Sequence, residues 1–66
     1  MIAERLREAR EKKGITQFDA AAKVGISHVA LGYFERGVKM PSIAVLIELA
    51  RLYGVSLDYL CENDSA

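Results

Sequence analysis

Several residue types are scarce in this chain of 66 residues, and each scarcity excludes a class of protein. The single cysteine, Cys61, cannot form an internal disulfide, which excludes a disulfide-stabilised secreted domain and fits a reducing cytoplasm. The single proline and the 52% content of hydrophobic residues exclude an intrinsically disordered chain. No apolar run approaches the roughly 20 residues that a membrane-spanning helix needs. We therefore expect one small, soluble, cytoplasmic domain without membrane contact.

Groups for catalysis and metal binding are also scarce. The one histidine, His28, and the one cysteine have no acidic partner at a motif spacing. No Cys/His cluster has the spacing of a zinc site, and no glycine-rich loop is suited to hold a phosphate. A chain of this size also buries too small a core to enclose a substrate pocket. We expect a protein that is not an enzyme and uses no metal and no cofactor.

The net charge is zero, but the charges are unevenly distributed. Residues 1–39 carry eight basic and five acidic side chains, which gives +3. Residues 40–66 carry one basic and four acidic side chains, which gives −3. Such asymmetry is typical of a protein with a polyanionic partner, although an ordinary solvated surface of mixed sign has the same composition.

Apolar residues recur at helical spacing along the chain, and no stretch alternates with period two. A glycine follows each of the first four helical segments, and a serine or threonine precedes each of the last four, as expected of helix ends and N-caps. The pattern predicts a compact all-α bundle over 1–61 and a frayed acidic tail over 62–66. The predicted helices cover residues 2–13, 17–24, 28–36, 43–53 and 57–61.

The same periodicity predicts which side chains face the core. On the third helix these are Leu31 and Phe34, and we expect Glu35 beside them to pair with Arg10 or Arg5. The predicted core residues of the fourth helix are Ile43, Leu46, Ile47, Leu49, Ala50 and Tyr53.

A tight turn, Gly25-Ile26-Ser27, joins the second and third predicted helices. Two helices joined in this way form a helix-turn-helix, in which the second helix of the pair lies in the major groove of DNA and the first crosses above it. Ala21 is small enough to let the two helices approach closely, and Gly25 can supply the positive φ of the turn.

Ordered segments over about residues 2–61 match the pattern of one known family. The matching segments are Gly14-Ile15-Thr16-Gln17, Ala21, Gly25-Ile26-Ser27, Leu31-Gly32-Tyr33-Phe34-Glu35-Arg36-Gly37, Met40-Pro41-Ser42 and Gly54-Val55-Ser56-Leu57-Asp58-Tyr59-Leu60. In these segments the chain resembles the phage-repressor/Cro-type, or Xre-type, transcriptional regulators. The resemblance implies a lambda-repressor-like five-helix fold whose helices two and three form the helix-turn-helix. It also implies a sequence-specific DNA-binding regulator, a repressor, that binds a pseudo-palindromic operator in double-stranded DNA as a homodimer.

The resemblance assigns DNA contacts to particular positions. It implies that Gln17 contacts the DNA or supports a side chain of the recognition helix, whose exposed face lies in the groove. There His28 would donate to a guanine or a phosphate, and Val29 would touch a thymine methyl group. The predicted DNA-binding residues are Thr16, Gln17, Ser27, His28, Val29, Gly32, Tyr33, Arg36 and Lys39.

The exposed face of the third helix departs from the family pattern, because it has no arginine or lysine before Arg36. A second hypothesis therefore stays open. In it the chain is a protein-interaction module on the same scaffold, such as an antitoxin, an anti-repressor or an engineered self-associating variant. Its partner would bind the apolar face of helix 28–36, which comprises Val29, Ala30 and Tyr33, together with Phe18.

One such module buries too little surface for operator-grade affinity, and two copies about one DNA turn apart would double the contacts. Exposed apolar residues mark interfaces. The predicted dimer surface comprises Val45, Leu52, Tyr59 and Cys61, and we expect the thiol of Cys61 to be half-buried and inert.

Overall fold

The computed structural model describes residues 2–62, and over this range it contains five α-helices and no strand. The all-α prediction and the predicted helix bounds are confirmed. Apart from Glu62, the predicted frayed tail lies outside the described residues. The helices are α1 (Ile2–Lys13), α2 (Gln17–Val24), α3 (His28–Arg36), α4 (Ile43–Tyr53) and α5 (Leu57–Cys61).

Three of the four connections share one design, a glycine followed by an apolar residue and a hydroxyl residue. They are Gly14-Ile15-Thr16, Gly25-Ile26-Ser27 and Gly54-Val55-Ser56. The glycine ends one helix with φ between 71° and 79°, a conformation that residues with a Cβ avoid. The apolar residue packs against the core, and the hydroxyl accepts a backbone N–H three residues later at 3.0–3.1 Å. Each connection thus ends a helix, anchors the chain and begins the next helix within three residues.

The core is small and is built mainly from leucine and alanine. Four leucines, one each from α1, α3, α4 and α5, are fully buried. The second helix contributes alanines, whose small side chains let it approach α3 and α4 closely. The leucines are Leu6, Leu31, Leu49 and Leu60, and the alanines of α2 are Ala20 and Ala21.

One prediction about the core is wrong. Ile43 is 67% exposed, because it is the first residue of α4 and precedes the first buried residue of that helix, Leu46, by almost one turn. For α3 the two predicted core residues do face the core, since Leu31 is fully buried and Phe34 is half-buried against it.

Within residues 2–62, no helix is both long enough and apolar enough to cross a membrane. In the same range, no group of three or more His, Cys, Asp or Glu side chains could hold a metal ion.

Candidate nucleic-acid interface

The helix-turn-helix unit places the start of α3 at the surface, next to the first turn of α2. Ser27 caps α3 by accepting the backbone N–H of Ala30 at 3.0 Å, and Thr16 caps α2 by accepting that of Asp19 at 3.1 Å. Both hydroxyl groups still have a proton to donate. His28 and Val29, the first two residues of α3, are exposed.

An aromatic stack joins the exposed sides of α2 and α3. The ring centroids of Phe18 and His28 lie 4.2 Å apart, and the ring planes differ by 18°. Phe18 is 67% exposed, so the stack lies on the surface and not in the core. Helical periodicity does not pair the two residues, because only the crossing of the helices brings them together.

A buried polar network ties α3 to α1 and α2. Arg10 donates from Nε to Oε2 of Glu35 at 2.8 Å and from Nη2 to Oε1 at 3.1 Å, so of the two expected partners, Arg10 and Arg5, the structure shows Arg10 in this pair. Gln17 donates from Nε2 to the same Oε1 at 3.0 Å. A buried carboxylate requires such partners, and the hydrogen bond that Arg10 donates to Glu35 in turn raises the pKa of Arg10. The network fixes Gln17, the first residue of α2, against α3.

The expectation that Gly32 lies on the exposed face of α3 is wrong, whereas its role in DNA binding stays a prediction. Gly32 is buried, because the side chains of Arg36 and Gln17 cover it. A Cβ at this position would lie 3.1 Å from Nη1 of Arg36 and 3.7 Å from Oε1 of Gln17. The sequence could not show this cover, because it depends on how the long Arg36 side chain folds back along its helix.

Two cations flank one aromatic ring at the C-terminal end of α3. The Cζ atom of Arg36 lies 5.3 Å from the ring centroid of Tyr33, and Nζ of Lys39 lies 5.2 Å from it. Cation–π contacts of this kind hold long basic side chains in place with about 0.5–1 kcal/mol at exposed sites. Three residues that the sequence analysis singled out are therefore brought together in one basic cluster.

The predicted dimer surface is less exposed than its apolar composition suggested. Val45, Leu52 and Tyr59 are half-buried against the core, and the ring of Tyr59 lies 4.8 Å from the guanidinium carbon of Arg5. Cys61 is exposed, which corrects the expectation of a half-buried thiol.

Apolar surface also occurs where the sequence analysis did not predict it. Val38, Met40 and Ile43 are exposed around the α3–α4 connection. Met40 and Cys61 border the same groove, of about 370 Å³. Helical periodicity carries no signal for residues in a connection, and therefore Val38 and Met40 were missed.

Five helices around a small core, with the capped start of α3 exposed beside α2, define a helix-turn-helix domain. The model of the Helix-turn-helix family matches residues 6–60, and the chain belongs to this family. The match confirms the fold and the family that the sequence resemblance implied.

Relatives with this domain are HTH-type transcriptional regulators. The regulator ImmR of Bacillus subtilis (strain 168) is 43% identical over 63 residues, which cover 96% of this chain and 50% of ImmR. The uncharacterized regulator YazB of the same organism is 41% identical over 56 residues, which cover 85% of this chain and 81% of YazB. The chain spans about half the length of the first relatives it matches.

Solved structures agree with this assignment. The P22 c2 repressor in complex with a synthetic operator superimposes with a TM-score of 0.90 at 34% identity, and the match covers 97% of both chains. The N-terminal DNA-binding domain of SinR from Bacillus subtilis superimposes with a TM-score of 0.88 at 28% identity, and the match covers 100% of this chain and 97% of that domain.

Proposed function

We propose that this chain is the DNA-recognising module of a transcriptional repressor and that α3 enters the major groove of duplex DNA. The observation that carries the proposal is the likeness to the P22 c2 repressor, which was solved on an operator, over nearly the whole of both chains. The proposal requires access to the chromosome, so it includes a cytoplasmic location, and it includes no catalytic step and no cofactor.

The exposed side of α3 suits base contacts at the start of the helix and phosphate contacts at its end. At its start, Val29 offers a branched apolar side chain that suits the methyl group of thymine, and His28 offers a ring nitrogen that can donate to a base or a phosphate. At its end, Arg36 and Lys39 supply cations, which suit the phosphate backbone. The hydroxyl of Tyr33, between the two ends, can donate to a phosphate.

The chain forms a homodimer in this proposal, because one module buries too little surface for operator-grade affinity. Two copies about one DNA turn apart would contact two half-sites of a pseudo-palindromic operator. The surface formed by Val45, Leu52, Tyr59 and Cys61 is the proposed contact. Its apolar side chains are continuous with the core at one end and exposed at Cys61.

Sedimentation analysis tests the proposed dimer. Cys61 is exposed, so Cys61→Asp adds a charge to the contact without entering the core, and the substitution should weaken self-association. Tyr59→Glu should do the same, provided that the variant folds. Ala22→Asp, at an exposed position on α2, is the matched control and should leave the equilibrium unchanged. If Cys61→Asp and Tyr59→Glu both associate like the wild type, this surface is not the dimer contact.

Selection of binding sites from random duplex DNA, followed by a salt titration, tests the proposed DNA binding. The wild type should recover a defined half-site, and contact with Z phosphates should give a slope of log K against log salt near −0.9Z. Arg36→Ala should make this slope shallower. Arg51→Ala, which removes an exposed cation of α4, is the charge-matched control and should not.

A protein that binds no duplex in low salt would contradict the proposal. Binding that ignores the salt concentration would also contradict it, and both results would favour a protein partner for the same face of α3.

A further inference from the structure

Gly32 leaves a notch in the middle of the recognition helix, and the guanidinium of Arg36 lies over that notch. A Cβ at Gly32 would approach Nη1 of Arg36 to 3.1 Å, which is closer than ordinary van der Waals contact. Arg36 follows Gly32 by four residues, so its side chain is on the same helix face and folds back by about one turn. The notch at Gly32 therefore provides the space that lets Arg36 take this course.

The ring of Tyr33 contacts Arg36 beside the notch at Gly32, and the side chain of Gln17 lies at the same notch. The guanidinium carbon lies 5.3 Å from the ring centroid of Tyr33 on one side. The amide of Gln17 is also at the notch, 3.7 Å from the position of the added Cβ, and a hydrogen bond to buried Glu35 fixes it there. The cation from the last position of α3 is thus carried back toward the middle of the helix.

This placement matters because residues 28–35 contain no arginine and no lysine. Arginine is the usual bidentate partner of guanine and also binds phosphate with two parallel N–H donors. Arg36 is an exposed basic side chain that the fold brings over Gly32 in the middle of α3.

We propose that Gly32 is a positioning residue for DNA binding, because its missing side chain lets Arg36 donate to DNA from the middle of α3. The acceptor is a pair of DNA atoms that suits a guanidinium, on a phosphate or on the edge of a guanine. The inference rests on the proposed DNA binding. It adds Gly32, which contributes to that binding by leaving room for the guanidinium of Arg36.

Gly32→Ala is the informative substitution, because it should separate folding from DNA binding. Gly32 has helical backbone angles, and alanine is the better helix former, so the substitution should raise the midpoint of thermal unfolding. The atom that the new Cβ approaches is the far end of a flexible arginine, which can move aside. When it moves, Arg36 loses its place over α3.

The experiment measures affinity for the selected operator in a double-mutant cycle of Gly32→Ala and Arg36→Ala, with Arg51→Ala as the control. Gly32→Ala alone should lower the affinity about tenfold, the usual size of one lost arginine contact. In the Arg36→Ala background it should cause no further loss, because the group that it displaces is already absent.

The two acceptors give different results for Gly32→Ala. A phosphate contact makes the salt slope shallower by about 0.9 and leaves the selected half-site unchanged. A guanine contact leaves the slope nearly unchanged and removes the preference for one G·C pair from the selected half-site. Either result supports the proposal.

Two results overturn the inference alone. One is a folded Gly32→Ala variant with wild-type affinity and half-site, and the other is an equal loss of affinity in the Arg36→Ala background. A wild type that binds no duplex DNA in low salt overturns the inference together with the proposed function, so the two failures are distinguishable.

Discussion

Arg10 and Glu35 form a two-pronged ion pair between α1 and α3, with N–O distances of 2.8 and 3.1 Å. The side chains are 13% and 2% exposed, so the pair is largely shielded from water. Gln17 donates to the same carboxylate and brings the start of α2 into the contact. The orientation of α3 thus depends on the buried carboxylate of Glu35 and its hydrogen-bond donors, and loss of a donor should destabilise the fold.

We expect Arg10→Met to lower the free energy of unfolding by about 3 kcal/mol, because breaking a buried pair leaves an uncompensated charge. Urea denaturation measures the change. Arg51→Met is the matched control, since Arg51 pairs with Glu48 at 3.4 Å but is 76% exposed, and its loss should cost less than about 1 kcal/mol. The double variant Arg10→Met/Glu35→Leu should recover much of the stability. Similar losses for Arg10→Met and Arg51→Met would show that the buried pair contributes no more than the surface pair.

Tyr53 gives a second test, through pH. Its pKa is raised to about 12, mainly by burial and further by the carboxylate of Glu35, whereas a phenol in the unfolded chain titrates near pH ~10. Between these values the unfolded chain releases a proton that the folded chain keeps, so the free energy of unfolding falls as the pH rises. Tyr53→Phe should lack this fall. The measurement is urea denaturation of both proteins at pH 9 and pH ~11.

At neutral pH the same substitution should cost little. Within residues 2–62 the buried Tyr53 hydroxyl has no hydrogen-bond partner, so its removal leaves no polar group unsatisfied. If wild type and Tyr53→Phe lose stability in parallel above pH ~10, another group causes the alkaline loss.

The Phe18–His28 stack should act as one unit in DNA binding. Phe18 is exposed, so Phe18→Ala should leave thermal unfolding almost unchanged but lower operator affinity by freeing the His28 ring. Aromatic pairs of this kind show coupling energies of about 0.5–1.5 kcal/mol, and a double-mutant cycle with His28→Ala should give a value in that range.

Two further variants complete this test. Phe18→Tyr keeps the ring and should preserve the affinity, and Val38→Ala removes an exposed apolar side chain outside α2 and α3 and should have no effect. Strictly additive losses from Phe18→Ala and His28→Ala would mean that the two rings contact DNA independently, or that only one of them does.

Alanine should have opposite effects at two glycines of the helix-turn-helix. Gly25 has φ of 78°, so Gly25→Ala places a Cβ in the left-handed region and should cost about 1–2 kcal/mol, although no neighbouring atom is close. Gly25→Asn should cost less, because asparagine tolerates this conformation. Gly32→Ala should stabilise the fold. Thermal unfolding of the three variants measures these effects, and destabilisation by Gly32→Ala would show that Arg36 cannot move aside.

The helices were predictable because their ends are marked locally. Glycines stop them and hydroxyl residues start them, and such signals act within three residues. The partner of Glu35 was predictable only as a choice between Arg10 and Arg5, because both flank the core-facing side of α1, on opposite sides of it, and the sequence does not show on which side α3 packs. The Phe18–His28 stack and the cover of Gly32 were not predictable, since both depend on helix crossing and on the conformation of long side chains.

The short connections between helices affect how quickly the domain folds after it has been synthesised. Helical domains with mainly local contacts fold in microseconds to milliseconds. Translation of 66 residues at roughly 5–20 residues per second takes several seconds. Folding of this domain therefore adds almost no delay to its synthesis.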